Sequence, residues 1–118
     1  MASIKEFDKA LVSLELALRE PKNDIVRDAT IQRFEYCVEL SWKISKKMMA
    51  SASVAPKVII REMAQQNLID DPEKWFEYLE ARNLSSYTYK EEIAEKVYGV
   101  AKKFLNDAQT LLRKLIIL

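Results

Sequence analysis

The chain has 118 residues, 49% of them apolar, and a formal net charge of +1. That is one domain's worth of chain, able to bury roughly two thirds of its unfolded surface without staples, and its charge gives no global reason to expect nucleic acid or acidic lipid. With no His and a single Cys, Cys37, it excludes an intrachain disulfide, a Cys/His zinc site and any nucleophile activated by imidazole.

One Gly and three Pro in the whole chain are too few for the many turns of a sandwich or barrel. That scarcity argues for few, long elements, and the expected fold class is all-α, a helical bundle built around two long helices in a single domain over residues 1–118. The N-terminus mixes charged and apolar residues early, unlike a signal peptide. No run of about 18 apolar residues exists to span a membrane. The reducing cytoplasm is the expected location, and the motifs call for no metal and no cofactor.

Ser3 and Glu6 have capping-box spacing, and Ile4, Phe7, Leu11, Leu14 and Leu18 recur at helical intervals, so a first helix runs from about Ser3 to Glu20. Pro21-Lys22-Asn23-Asp24 is a turn. A second helix, uninterrupted by Gly or Pro, extends from near Asp24 to about Ala50 and ends in Ser51-Ala52-Ser53. Ile31, Phe34, Cys37, Val38, Ile44 and Met48 share one broad arc of it, with Ser41 and Ser45 between them. Asp28, Gln32, Glu35, Glu39, Lys43 and Lys46 share the opposite stripe. From Ser41 to Arg61 there are five cations, Lys43, Lys46, Lys47, Lys57 and Arg61, and no acid. They read either as solvated helix faces or as one basic surface that meets an anion or an acidic partner.

Pro56 suits the first turn of a third helix that carries Val58, Ile59, Ile60 and Met63 and stops near Asn67. Asp71-Pro72-Glu73 is a strong start for a fourth: an N-cap, Pro at the first helical position, then an acid. It is short, aromatic (Trp75, Phe76, Tyr78) and breaks around Leu84-Ser85-Ser86. Thr88 and Glu91 offer a second capping box for a fifth helix that runs to the C-terminus. Its residues Val97, Ala101, Phe104, Ala108, Leu111 and Leu115 form a heptad-like seam. One helix face cannot hide all of Leu115-Ile116-Ile117-Leu118, which predicts that part of this tail meets another subunit.

Two constellations could carry chemistry. The first is the stripe Asp28, Gln32, Glu35, Glu39 and Lys43 on the polar face of the second helix. Paired carboxylates can bind a metal or act as acid and base, but a di-metal bundle also wants Glu-x-x-His. The spacings i, i+4 equally make a surface ion-pair ladder. The second is the corner Arg82-Asn83-Leu84-Ser85-Ser86-Tyr87-Thr88-Tyr89. Arg suits phosphate or carboxylate, Asn adds directed hydrogen bonds, and Tyr87 and Tyr89 add stacking faces and phenols. Alternatively, Arg82 and Asn83 cap the fourth helix, Thr88 caps the fifth, and the tyrosines pack.

The run from Asp28 to Tyr36, with Glu39-Leu40-Ser41-Trp42-Lys43, resembles the central helix of the nucleotidyltransferase substrate-binding proteins. So does the Arg82–Ser86 corner with Thr88-Tyr89. Pro56-Lys57-Val58-Ile59-Ile60-Arg61-Glu62 and Leu68-Ile69-Asp70-Asp71 resemble the family as well. The resemblance spans nearly the whole chain. That family belongs to the HEPN superfamily of helical, nucleotide-associated domains. It implies an up-and-down bundle that pairs as a homodimer and works beside a minimal nucleotidyltransferase chain, in a toxin–antitoxin-like pair. Many HEPN proteins are ribonucleases with an Arg-x4-His motif. By the resemblance Arg82 is that Arg, Asn83 is the polar residue after it, and Tyr89 is the tyrosine that the partner enzyme nucleotidylates in some pairs. The His position is Tyr87. RNA cleavage through the 2′-hydroxyl needs a proton carrier near neutral pH; His has a pKa of roughly 6.5 and Tyr of roughly 10.

The expectation is thus a non-catalytic subunit that binds a substrate or nucleotide with Arg82, Asn83, Tyr87, Tyr89, Glu35, Glu39 and Lys43. A HEPN ribonuclease with an altered motif that acts on RNA, and a helical interaction module without a small ligand, are the alternatives.

Overall fold

Local chemistry sets the ends of the helices. In the structure, a computed structural model that describes residues 3–118, α1 spans Ile4–Arg19. Ser3 is its N-cap, and the Ser3 Oγ accepts from the Glu6 N–H at 3.1 Å. The second helix, α2, spans Asp24–Met49 and is capped by Asn23, whose Oδ1 accepts from the Val26 N–H at 2.8 Å. Then come α3 (Pro56–Gln65) and α4 (Pro72–Leu84). At the start of α4 the Asp71 carboxylate accepts from the Glu73 N–H at 3.0 Å, and Pro72 fills the first helical position, as the sequence predicts. A single 3₁₀ turn at Ser85–Tyr87 leads into α5, Glu91–Ile116.

Two helices end on a residue in the left-handed region without using glycine. Ala50 has φ 54° and Asn67 has φ 61°. In each case the following N–H reaches back five residues, Ser51 to the Lys46 carbonyl at 3.0 Å and Leu68 to the Met63 carbonyl at 2.9 Å. That closure satisfies a carbonyl the helix would otherwise leave open.

The capping box expected at Thr88 does not form. Lys90 is the N-cap of α5, with no side-chain bond. The chain stays in helical backbone geometry through Thr88, so its hydroxyl donates back to the Ser85 carbonyl at 3.2 Å instead of forward. Glu91 and Glu92 in the first turn of α5 complement the helix dipole in its place.

The ion pairs fix the helix directions. Lys22, just before α2, meets Glu95 at 2.5 Å, and Arg27 meets Glu91 at 2.6 Å. The starts of α2 and α5 therefore lie side by side, and with Phe34 against Phe104 further along both the two helices run parallel. Lys74 lies 4.0 Å from Asp107 and Glu77, one turn later, 3.9 Å from Lys103, so α4 runs antiparallel to α5; Tyr78 also donates to Asp107. Arg33 bonds Ser13 across the antiparallel α1–α2 hairpin. The result is an up-and-down bundle of α1, α2, α4 and α5, with short α3 bridging α2 and α4.

Phe104 of α5 is the hub of the core. It makes edge contacts with Phe34 at 5.3 Å, Trp75 at 5.7 Å and Tyr78 at 5.2 Å between ring centroids. The whole expected seam of α5 is buried. On α2 the expected arc is buried except for Met48 in the last turn, which is exposed. Ser41 and Ser45 lie in that arc because each hydroxyl donates to a carbonyl of its own helix, at 2.6 and 2.7 Å. In the tail, Leu115 is buried while Ile116, Ile117 and Leu118 are exposed. No helix of the described residues is long and apolar enough to cross a membrane.

Candidate functional site

The two constellations that stand apart in the sequence meet in space. Glu35, Glu39 and Lys43 repeat every four residues and so share one flank of α2. The last turn of α4 crosses that flank. There Arg82 Nε donates to Glu39 Oε1 at 3.0 Å, and Nη1 lies 3.9 Å from Glu35 Oε2. Lys43 Nζ is 3.5 Å from the other Glu39 oxygen. Glu39 is therefore held between two cations. Arg82 does not cap its own helix; Ser85 does that work, its hydroxyl donating to the Arg82 carbonyl.

Beside this cluster α2, α3 and α4 enclose a groove of about 560 Å³. Arg82, Asn83 and Glu39 form one side, Trp42 and Phe76 give it aromatic walls, and Lys57 stands at the start of α3. Lys57 and Arg61 lie over the Phe76 ring at 6.0 and 5.1 Å, and Lys43 lies over Trp42 at 5.6 Å. Much of the basic stretch of the sequence thus rims this groove. Glu73, Glu77 and Glu80 of α4 face it with the opposite sign. Trp42 Nε1 is buried without a hydrogen-bond partner among the described residues.

Of the seven expected site residues, Glu39, Arg82 and Asn83 line the groove, while Glu35 and Lys43 adjoin it through their ion pairs. Tyr87 and Tyr89 sit on the 3₁₀ corner that follows, 50% and 78% exposed, with ring centroids 6.4 Å apart. They do not line the groove. Asp28 leaves the stripe for another role: it accepts from Arg27 Nε at 3.2 Å.

Sequence reasoning gave no site role of their own to Trp42, Lys57 or Phe76. The available signal was Trp42 next to Lys43 and the basic residue right after Pro56 at a helix start. The groove offers hydrogen-bond donors, aromatic faces and charges of both signs. It contains no imidazole or thiol, and Cys37 is fully buried in the core, its thiol pushed up to about 12 by loss of hydration. This is the equipment of a binding site.

Comparison with known proteins adds to this picture. The model of a family described as "Nucleotidyltransferase substrate binding protein like" matches residues 2–116. A Haemophilus influenzae protein named Probable ribonuclease HepT is 34% identical over 100 residues, covering 78% of this chain and 68% of that one. A Haemophilus influenzae structure described as revealing the fold of a substrate binding domain of a nucleotidyltransferase superimposes with TM-score 0.86 at 30% identity. It covers 96% of this chain and 98% of that one. A crystal structure of a Thermus thermophilus protein gives TM-score 0.85 at 29% identity, over 92% of this chain and 98% of that one.

Proposed function

Because this chain belongs to the family of nucleotidyltransferase substrate binding protein-like chains, we propose that it is the substrate- or nucleotide-holding subunit of a separate minimal nucleotidyltransferase. The observation that carries this reading is the convergence of Arg82 and Asn83 with Glu39 at the edge of the α2–α4 groove. A guest with a phosphate finds Arg82 there, and a flat guest finds Trp42 and Phe76. Tyr87 and Tyr89, outside the groove on an exposed corner, suit the contact with the partner enzyme. Tyr89, the more exposed phenol, is the candidate for nucleotidylation in a toxin–antitoxin-like pair. The subunit works as a homodimer, with the exposed Ile116-Ile117-Leu118 end of α5 contributing to the interface.

The test is co-expression with the nucleotidyltransferase encoded beside this gene, followed by co-purification and intact-mass measurement of both chains. A stable complex supports the proposal. Added mass of one nucleotide on this chain, lost in Tyr89→Phe, assigns the modified residue. Failure of the two chains to associate refutes the partner role.

The relative named as a ribonuclease favours a second reading, in which Arg82 belongs to an RNA-cleaving site. Tyr87 in the His position argues for an inactivated version, because the corner then lacks the imidazole that the Arg-x4-His motif supplies as proton carrier. The purified chain should leave single-stranded RNA intact at pH 7. Arg82-dependent cleavage by the wild-type protein would establish the ribonuclease reading instead.

A further inference from the structure

Three arginines of this protein are at least partly buried: Arg27, Arg33 and Arg82. Two of them are neutralised. Arg27 lies within 4 Å of Asp24, Asp28, Glu91 and Glu95, and Arg82 holds Glu39 and Glu35. Arg33 is different. Its Nε donates to Ser13 Oγ at 2.8 Å and its Nη1 to the Ala29 carbonyl at 3.1 Å. Both acceptors are neutral, and among the described residues no carboxylate lies within 4.0 Å of it. A partly buried guanidinium normally acquires a counter-charge.

Arg33 lines a cavity of about 290 Å³ between α1 and α2, together with Lys9, Ser13, Tyr36, Ala10 and Glu6. Lys9 has no ion pair among the described residues. Glu6, the single acid of the lining, is drawn toward the start of α1, 3.5 Å from the Ser3 hydroxyl. The cavity lining therefore carries two cations that make no ion pair among the described residues, one carboxylate and a half-exposed phenol, and is net positive. Ser13 and Ala29 clamp two of the five guanidinium N–H groups and fix the plane of the fork. Three donors remain for a guest, already oriented, which lowers the entropic cost of binding.

We propose that the α1–α2 cavity is an anion site that takes a phosphate group, with Arg33 as its principal ligand and Lys9 as its second charge. Tyr36 closes one side and can donate its hydroxyl. The phosphate is either free orthophosphate or the terminal group of a nucleotide, since both present the same oxyanion edge. The site is separate from the α2–α4 groove: the two share no lining residue. It does not depend on the proposed partner role.

The experiment is an NMR titration of the full chain with orthophosphate, AMP and adenosine, following the amides of residues 9, 13 and 36 and the Arg33 Nε resonance. Saturable shifts with phosphate and AMP, but not adenosine, are the expected result. Tighter binding of AMP than of phosphate would identify the nucleotide as the source, and equal binding the free ion. Arg33→Gln, which can still bond Ser13, should weaken binding roughly tenfold or more. Arg33→Lys should also weaken it, because charge without the fork is not enough. Arg113→Gln, at an exposed position of α5, should leave it unchanged. No saturable shift in the wild type, or full affinity in a folded Arg33→Gln, would overturn the proposal and leave Arg33 as a staple between α1 and α2. Binding of an acidic peptide but not of phosphate would overturn it as well.

Discussion

The Arg82–Glu39 pair decides whether the corner is a binding site or a strut, and the two roles predict opposite signs for one substitution. The side chains are 29% and 31% exposed and meet at 3.0 Å. Exposed ion pairs contribute about 0.2–1 kcal/mol, and truncating a fully buried one costs about 3–5 kcal/mol. At this intermediate burial a coupling of about 1 kcal/mol is expected. A double-mutant cycle of Arg82→Ala and Glu39→Gln in urea unfolding measures it. Binding changes the arithmetic. A charged hydrogen bond from Arg82 to a nucleotide phosphate contributes about 1.5–3 kcal/mol, but Arg82 must first release Glu39. The net is about 1 kcal/mol, roughly fivefold in affinity. Arg82→Ala should therefore weaken ATP binding about fivefold by calorimetry. Glu39→Gln removes the internal competitor and should tighten it by a similar factor. If Glu39→Gln instead weakens binding as much as Arg82→Ala does, the pair acts as one structural unit and Arg82 is not a free anion contact.

Four further outcomes follow from the fold. Phe104→Ala removes a ring that contacts three other aromatic rings and should cost about 4 kcal/mol in urea unfolding, near the middle of the range for buried Phe. Cys37, fully buried and with its thiol pushed up to about 12, should resist a disulfide reagent in the native state and react only at the rate of unfolding. The Glu95 carboxylate is held below its ordinary range by its hydrogen bond from Lys22. Its contribution to stability is thus present above the ordinary carboxylate pKa and is lost as pH falls through the lowered value; Glu95→Gln should flatten that part of the acid limb in a pH series of thermal melts. Ala50→Gly relieves a left-handed residue at the end of α2 and should raise stability by about 1 kcal/mol, or roughly 4 °C in Tm by calorimetry.

The helices were legible because their signals are local. Ser3, Pro72 with Asp71, and the seam from Val97 to Leu115 announce starts and faces within a few residues of themselves, and each of these forms as expected. The cap at Thr88 misled for an equally physical reason. A Thr three residues before a Glu also fits a 3₁₀ turn that has not yet ended, and the hydroxyl takes whichever backbone group is nearer. The groove was legible only in pieces. Glu39 and Arg82 were each visible as charged residues at suggestive positions, yet 43 residues separate them. Nothing in the spacing says that α4 crosses α2 at that flank. The same holds for Phe76, whose neighbours Lys57 and Arg61 come from another helix. The family resemblance pointed to Arg82 and Asn83 before any geometry, but not to what Arg82 touches.

Arg33 shows what the structure adds beyond placing residues. In the sequence it is a basic residue of a long amphipathic helix, inside the Asp28–Tyr36 run that carries the family resemblance but with no site role assigned to it. Its significance comes from a charge balance that exists only after folding. Arg27 buries its guanidinium among acids drawn from α2 and α5, and Arg82 does so with acids of α2. Ser13 and the Ala29 carbonyl give Arg33 geometry but no compensating charge. A staple between α1 and α2 could have been built from a neutral side chain, such as Gln, at lower desolvation cost. A permanent, oriented and uncompensated charge facing a cavity is useful where an anion arrives from outside. The same criterion applied to Arg82 gives the complementary result: a guest there must first displace a resident carboxylate.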